Sequence, residues 1–373
     1  MSRDLSARPN VALFMPSLRG GGAERVMLDL ARGMAKRGYV VDLVVLNRIG
    51  EVTTDVGRGV KVVDLHRTRA AVALPALISY LRRRRPPVML STLEHINVLA
   101  VIATKLVGGI RLVIREANTP SEDLGRQELK GRFVRMAMRT TYGAAAGIIA
   151  VSQGVARSLS ETLRLDPARI QVIASPVITD RLREGVKEPP AHPWFSDGGE
   201  PVILGVGRLV EQKGFDTLLR AFAKARQGVP SRLVIFGEGT LREELTNLAA
   251  QLGVADSFQL PGFDPNPFTY MSSCDLFVLS SRWEGLPNVL IQAMAAGAKV
   301  VATDCPSGPN EVLDGGELGA LVPVDDVDAM ADAMVEGLGS PRRDLPAEWF
   351  DRYDSEAVVG RYVEALELPS HSE

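Results

Sequence analysis

Short apolar runs, each followed by a polar or glycine-bearing loop and then by residues at helical spacing, recur along this chain, and that alternation limits the fold more than any other feature. Val11 to Met15 is the first run; Gly20, Gly21 and Gly22 follow, then a helix with Val26, Leu28, Leu30, Ala31 and Met34 apolar. Strand, glycine-rich turn and helix form the opening unit of a doubly wound parallel sheet. Further strands are expected at Val40 to Leu46, Val60 to Val63, Val88 to Ser91, Arg111 to Arg115, Gly147 to Val151 and Ile170 to Ile173, with helices near 71–84, 95–107, 127–142 and 153–164. The pattern then pauses. Ser175 to Pro201 carries Pro189, Pro190, Pro193, Gly198 and Gly199 without periodicity, as a linker should. Alternation restarts at Val202 to Val206, with helices expected over 214–226 and 240–252, strands at Arg232 to Phe236, Phe258 to Leu260, Asp275 to Leu279 and Ala320 to Pro323, and helices from Pro287 and Asp325.

A chain of 373 residues exceeds what one hydrophobic core holds, so the expected class is α/β, with two doubly wound Rossmann-like domains. Expected boundaries are 1–180, a linker over 181–200, a second domain over 201–350 and a terminal helical segment over 351–373. An apolar fraction of 46% with 24% charged residues argues against a largely disordered chain. Cys274 and Cys305 are the two cysteines, with no CxxC pair or Cys/His cluster, which argues against a disulfide framework and a structural zinc and fits a reducing cytosol. Met1 to Asn10 lacks the apolar core of a signal peptide, and no apolar run approaches the roughly 18 residues of a membrane span.

Charge is unevenly distributed. Residues 1–180 hold 27 Lys and Arg against 15 Asp and Glu, and the remainder holds 16 against 30, so the first half is suited to face something anionic. Arg82 to Arg85 form one cluster; Lys130, Arg132, Arg135 and Arg139 recur at helical spacing beside Phe133, Val134, Met136, Met138 and Tyr142. Such a helix suits an anionic membrane surface, and it equally suits a solvated face with favourable charge near a helix C-terminus. Nucleic acid is not an expected partner, because the chain is acidic overall and lacks the aromatic and basic strip of RNA modules.

The stretch from Cys274 to Ala302 concentrates the chemistry. A buried strand feeds a polar loop, Ser280 to Leu286, and then a helix N-terminus, where free N–H groups and the helix dipole favour anions. Glu284 lies in that loop, and Asn288 and Gln292 follow at steps of four, on one helix face. Helix capping by Glu284 and solvation of Gln292 explain the same residues. Gly205-Val-Gly207-Arg208 and Lys213-Gly214 follow the first strand of the second half. Glycines there let a ligand approach the backbone, while a planar guanidinium and a compact ammonium can hold two phosphates; an ordinary surface loop has the same composition. Asp326-Val-Asp328 has the look of a metal-binding triplet, but at a helix start acids complement the dipole, and no required metal is expected.

Glu284-Gly285-Leu286-Pro287-Asn288 and the apolar run after it resemble the signature of family 4 glycosyltransferases, and Gly207-Arg208 with Lys213-Gly214 resembles that family's diphosphate-binding element. The resemblance implies a GT-B fold, two Rossmann-like domains facing across a cleft, with the last helix returning to the first domain. It implies that Arg208 and Lys213 stabilise the leaving diphosphate and that Glu284 lies by the donor sugar. Gly285, Leu286, Pro287, Asn288, Val289 and position 292 then line the donor site. At 292 this chain has Gln where the family usually has Glu, which puts donor affinity in question. Gly21 and Gly22 resemble the family's N-terminal glycine loop, and Gly237, Gly262 and Phe263 the turns beside the nucleotide base; tight turns alone also require such glycines. His95, Glu116 and Asn118, at strand ends of the first domain, are the acceptor or sugar contacts so implied. Cys305 to Glu311 resembles a loop of bacterial surface-polysaccharide enzymes.

The implied activity is retaining transfer of a hexose or N-acetylhexosamine from a nucleotide diphosphate sugar, UDP-linked, to a hydroxyl of a glycan or lipid-linked glycan, without a cofactor. Cytoplasmic location, peripheral on the inner face of the cytoplasmic membrane, goes with it. The alternatives are a non-hydrolysing nucleotide-sugar epimerase and a nucleotide-sugar-binding protein without catalysis; product analysis separates the first, and binding without transfer or donor hydrolysis the second.

Overall fold

The computed structural model describes residues 8–18, 21–49, 56–119 and 128–369. Gly20 of the glycine triplet and the Lys130 side chain lie outside what is described. The chain forms two compact units, one from Met1–Pro176 with Asp351–Glu373, the other from Val177–Phe350.

The first unit is built on a seven-stranded parallel sheet of β1 (Val11–Met15), β2 (Val41–Val45), β3 (Val60–Asp64), β4 (Val88–Thr92), β5 (Arg111–Glu116), β6 (Gly147–Ala150) and β7 (Ile170–Val172), in the order β3-β2-β1-β4-β5-β6-β7. β1, β2 and β4 are buried throughout, because helices cover both faces of a parallel sheet and such strands read as continuous apolar runs. Val11 pairs with Val41 on one side and Val88 on the other, which centres β1. The helix Gly22–Lys36 buries Val26, Leu30, Ala31 and Met34 in a cluster that also takes Val358, Val359 and Tyr362 of the helix Ser355–Ala365. That approach is close: a Cβ on Gly33 would stand 2.5 Å from Val359 Cγ2. The C-terminal helix is therefore part of the first unit's core.

The second unit carries a six-stranded parallel sheet of β8 (Val202–Val206), β9 (Arg232–Phe236), β10 (Phe258–Gly262), β11 (Leu276–Leu279), β12 (Val300–Thr303) and β13 (Ala320–Val322), ordered β10-β9-β8-β11-β12-β13. Strand order thus reverses between β8 and β11 here, and between β1 and β4 in the first unit. At such switch points the loops leaving neighbouring strands diverge to opposite faces and open a crevice at the carboxyl edge.

Three segments differ from the sequence reading. The stretch expected as a linker belongs to the second unit and contains the helix Asp180–Gly185. Asn266 Nδ2 donates to the Gly185 carbonyl at 3.1 Å, and His192 Nε2 lies 2.7 Å from Gln259 Oε1, so side chains of the second unit hold it down. The helix expected from Pro287 starts at Asn288, and the one expected from Asp325 starts at Val327. Asp325 takes a left-handed φ of 59°, and the Asp326 carboxylate accepts the Ala329 N–H at 2.9 Å as the N-cap.

Candidate active site

The loops that leave β8 and β11 meet at the switch point of the second unit. From the first, the Lys213 ammonium donates to Glu284 Oε1 of the second at 2.5 Å, with the two side chains 15% and 8% exposed. Glu284 Oε1 also accepts the Ser281 hydroxyl at 2.7 Å. Beneath the pair the backbones touch: Ser280 Oγ donates to the Lys213 carbonyl at 2.7 Å, and Gly214, with φ of 59°, has no room for a Cβ, which would fall 2.1 Å from the Ser280 carbonyl oxygen. Lys213 can therefore reach Glu284 only because position 214 is glycine.

The remaining second-unit residues extend this contact along the sheet edge. The Lys213 stem passes Gly207, its Cγ and Cδ 3.5 Å from where a Cβ there would stand. Gly207 N–H donates to the Phe236 carbonyl at 3.0 Å, and Gly237 N–H to the Gly262 carbonyl at 2.8 Å, so the turns after β8, β9 and β10 form one row. Gly237 is required: a Cβ would lie 1.8 Å from the Gly207 carbonyl oxygen. Arg208 is exposed in this row, and among the described residues its guanidinium has no partner. Phe263 is exposed at the far end.

On the other side, Ser307 Oγ donates to the Gly285 carbonyl at 2.9 Å, and Gly308 packs on Pro287, a Cβ there falling 2.4 Å from Pro287 Cδ. The Cys305–Glu311 segment thereby braces the Gly285-Leu286-Pro287 turn. Cys305 lies buried close by; burial first, then the Glu284 charge, pushes its thiol up to about 12, so it is inert as a nucleophile. Asn288, Val289 and Gln292 follow on the helix Asn288–Ala295, all half-buried, and Asn288 Oδ1 is buried without a hydrogen-bond partner among the described residues. Sequence reading missed Ser281, Ser307 and Arg282. Ser281 and Arg282 lie in the loop after β11 and Ser307 in the segment after β12, and none carries a signal that separates it from ordinary loop residues.

In the first unit, Gly21 precedes the helix Gly22–Lys36, and its N–H donates to Glu24 Oε2 at 2.9 Å while the Ser17 hydroxyl donates to Glu24 Oε1. Glu24 serves the chain as a first-turn cap. Gly22 has open space where a Cβ would be, so nothing in the fold demands glycine there. His95 is exposed in the first turn of the helix Glu94–Val107, and Asn118 is half-buried beyond β5.

Glu116 departs from its expected role of touching acceptor or sugar. It is fully buried, its Oε2 accepts the Tyr142 hydroxyl at 2.9 Å and an Asn97 amide hydrogen at 3.5 Å, and Asn97 Oδ1 accepts the Ser91 hydroxyl at 2.7 Å. The carboxyl closes a network beneath the surface instead of presenting itself to a substrate. Burial, then the charge of Glu94, holds it well above the ordinary carboxylate range, against the Tyr142 hydrogen bond. Asp328 of the acidic triplet pairs with Lys224 at 2.5 Å, and no group of three or more potential metal ligands occurs among the described residues.

Residues 20–181 match the family described as Glycosyltransferase Family 4, and residues 200–340 match Glycosyl transferases group 1. Over 334 residues the chain is 28% identical to the N-acetylgalactosamine-N,N'-diacetylbacillosaminyl-diphospho-undecaprenol 4-alpha-N-acetylgalactosaminyltransferase of Campylobacter jejuni, covering 86% of this chain and 87% of that one. It is 33% identical over 172 residues to the lipopolysaccharide core biosynthesis glycosyltransferase LpsE of Rhizobium meliloti, covering 44% of this chain and 49% of that protein. Among solved structures, HepE of Anabaena in complex with UDP and glucose superposes with a TM-score of 0.80 at 17% identity, covering 96% and 99% of the two chains. That likeness establishes the GT-B fold.

Proposed function

The chain belongs to the family 4 glycosyltransferases, and from that premise we propose that it moves a hexose or N-acetylhexosamine from a UDP-linked sugar to a glycan hydroxyl with retention of configuration. The observation that carries this reading is the Lys213–Glu284 contact at the switch point, with the exposed Arg208 in the same row of turns. A cationic pair beside a sugar-binding carboxylate is what loss of a diphosphate leaving group requires.

In the step proposed, the bond from the sugar C1 to the diphosphate oxygen loosens while Arg208 and Lys213 take up the charge growing on that oxygen. The acceptor hydroxyl attacks C1 from the same face, and its proton passes to the leaving phosphate oxygen. Glu284 orients the sugar hydroxyls and forms no bond. Gly207 admits the phosphates to the backbone. Gly237, Gly262 and Phe263 border the base, and Gly285 to Val289 with Gln292 hold sugar and ribose. His95 and Asn118 remain as acceptor contacts.

The acceptor is proposed to be a lipid-linked glycan of surface-polysaccharide synthesis, since the Campylobacter relative is named for a diphospho-undecaprenol substrate and LpsE for the lipopolysaccharide core. No helix among the described residues is long and apolar enough to cross a membrane. Peripheral contact of the first unit with an anionic bilayer, on the cytoplasmic side, is the attachment proposed. Phe133 (77% exposed), Met136 (61%) and Leu106 (59%) support it. So do the three helices Leu74–Arg84, Glu94–Val107 and Glu128–Thr141, where eight basic residues stand against two acidic residues, Glu94 and Glu128.

Incubation with UDP-sugars and a lipid-linked acceptor, read by mass spectrometry, should give one added sugar and free UDP. A second UDP-sugar formed without acceptor would indicate epimerisation, and nucleotide binding with neither transfer nor donor hydrolysis would indicate a binding protein; either outcome overturns the assignment.

A further inference from the structure

Arg282 stands two residues before Glu284, 15% exposed, and its guanidinium is spent on two other segments of the second unit. Nε donates to both carboxylate oxygens of Asp325, at 2.8 and 3.1 Å. Nη1 donates to the Glu211 carbonyl at 2.7 Å. Nη2 donates to Asp216 Oδ2 at 2.8 Å and to the Thr217 hydroxyl oxygen at 3.3 Å. Thr217 in turn donates to Asp325 Oδ1 at 2.9 Å, closing the ring. The hydrogen bond to Asp216 first, and that to Asp325 after it, raise the guanidinium's affinity for its proton against the cost of burial.

Those partners are not scattered. Glu211 and Asp216 bracket Lys213, and Arg282 belongs to the loop that carries Glu284. Two further bonds run between the same segments: Arg282 N–H donates to the Gln212 carbonyl at 2.8 Å, and Gln212 Nε2 to the Trp283 carbonyl at 2.9 Å. Asp325 is the residue with left-handed backbone before the helix Val327–Gly339, so the third segment is also held in one conformation.

We propose that Arg282 is the positioning residue of this site, setting the distance between Lys213 and Glu284 by clamping the 211–217 segment to the 280–286 loop. The proposal rests on the glycosyltransferase reading for its purpose but not for its geometry. Arg282 touches neither reacting group. Its effect passes through Lys213, whose ammonium must stand within contact distance of a diphosphate, and displacements on the order of 1 Å at such a group cost about 100-fold in rate. The task demands Arg. A planar fork with five N–H donors reaches acceptors on both segments, whereas the single ammonium of Lys would restore the charge and only one or two of the bonds.

The test is a double-mutant cycle with two readouts, affinity for UDP by calorimetry and transfer rate, on Arg282→Lys, Lys213→Ala and the pair, each checked for folding by thermal melting. In the wild-type background Lys213→Ala should weaken UDP at least tenfold. In the Arg282→Lys background it should weaken UDP less than twofold, because the ammonium is already misplaced, and Arg282→Lys alone should lower the transfer rate by about 10- to 100-fold. Equal tenfold losses in both backgrounds, or wild-type rate in Arg282→Lys, would show a merely stabilising arginine and overturn the proposal while leaving the transferase reading intact. A wild-type protein that binds UDP but transfers nothing would overturn the transferase reading alone, since the binding cycle still judges Arg282. Should Arg282→Lys fail to fold, Asp325→Asn, which weakens one arm of the clamp, replaces it in the cycle under the same criteria. Absence of UDP binding by the wild type overturns both.

Discussion

Lys213 and Glu284 lie 71 residues apart in sequence and meet at 2.5 Å over the reversal of strand order in the second unit. The contact neutralises an ammonium that would otherwise be costly to hold largely buried, and a diphosphate, carrying more charge than one carboxylate, can take it over when it arrives. Replacing Lys213 by Ala should reduce the transfer rate by about 100- to 1000-fold, the usual loss when one electrostatic donor to a leaving group is removed. The melting temperature should fall as well, because Glu284 is left buried with the Ser281 hydroxyl as a donor but without its counter-charge. Steady-state kinetics on a folded variant decides it, and a rate within threefold of wild type would remove Lys213 from the mechanism.

Gln292 offers an amide where a carboxylate would accept ribose hydroxyls more strongly. It lies half-buried on the helix Asn288–Ala295, one turn beyond Asn288. Exchange to Glu converts neutral hydrogen bonds into charge-assisted ones, worth about 1 kcal/mol more, or roughly fivefold in affinity. Calorimetry with UDP should show that gain in Gln292→Glu. Weaker binding would mean that position 292 faces phosphate and not ribose.

The parallel sheets were legible because strands such as Val11–Met15 and Leu276–Leu279 are buried on both faces and read as unbroken apolar runs. Glu284 and Lys213 stood out for a related reason, since each follows such a run in a loop at a helix start. The helix Asp180–Gly185 did not, because six residues are too few to show a period and its anchor, Asn266, arrives 81 residues after Gly185. The enclosure of Glu116 was likewise invisible: Asn97 and Tyr142, its partners, come from helical segments 19 and 26 residues away. Polar networks of that kind depend on tertiary packing and leave no local pattern.

Glu116 gives a prediction with a definite sign. Its carboxyl binds a proton more tightly in the folded chain than in the unfolded one, so the folded state is favoured most below the ordinary carboxylate range and loses stability as pH rises toward the shifted value. Gln in its place is permanently neutral and keeps an oxygen to accept the Tyr142 hydroxyl. Thermal melts between about pH 4 and about pH 8 should therefore show Glu116→Gln gaining on the wild type as pH rises. Parallel curves would mean that the carboxyl is ionised in the folded protein.

Asp42 is buried in β2 and accepts Arg84 Nε at 3.0 Å, Arg84 Nη2 at 3.1 Å and the Tyr80 hydroxyl at 2.9 Å. Burial, then the Asp42 charge, pushes the Tyr80 phenol far above its ordinary range, so Tyr80 stays a donor at any working pH. Asp42→Ala strands both partners and should cost about 3 kcal/mol in urea unfolding, while Asp42→Asn, which keeps an acceptor, should cost less. Equal losses in the two variants would show that the carboxylate's charge, and neither its volume nor an acceptor as such, holds Arg84 and Tyr80 in place.

The proposed bilayer contact separates into two terms that can be removed independently. Arg132 and Arg139 are exposed on the same helix as Phe133 and Met136, and the neighbouring helix Glu94–Val107 adds exposed Ile102, Lys105 and Leu106. Attraction to an anionic surface is worth about 1 kcal/mol per basic residue and fades with salt, whereas insertion of Phe and Met side chains does not. Vesicles of phosphatidylglycerol should bind the wild type and vesicles of phosphatidylcholine should bind it weakly. Exchange of Arg132 and Arg139 to Gln should lower partitioning about fivefold each at low salt. Exchange of Phe133 and Met136 to Ser should lower it at every salt concentration, because the lost term is apolar burial. UDP affinity should be unchanged in all four variants, which confirms that each is folded. If the wild type ignores both kinds of vesicle, the basic and apolar helix face is a solvated surface, and the acceptor must reach the first unit without help from the membrane.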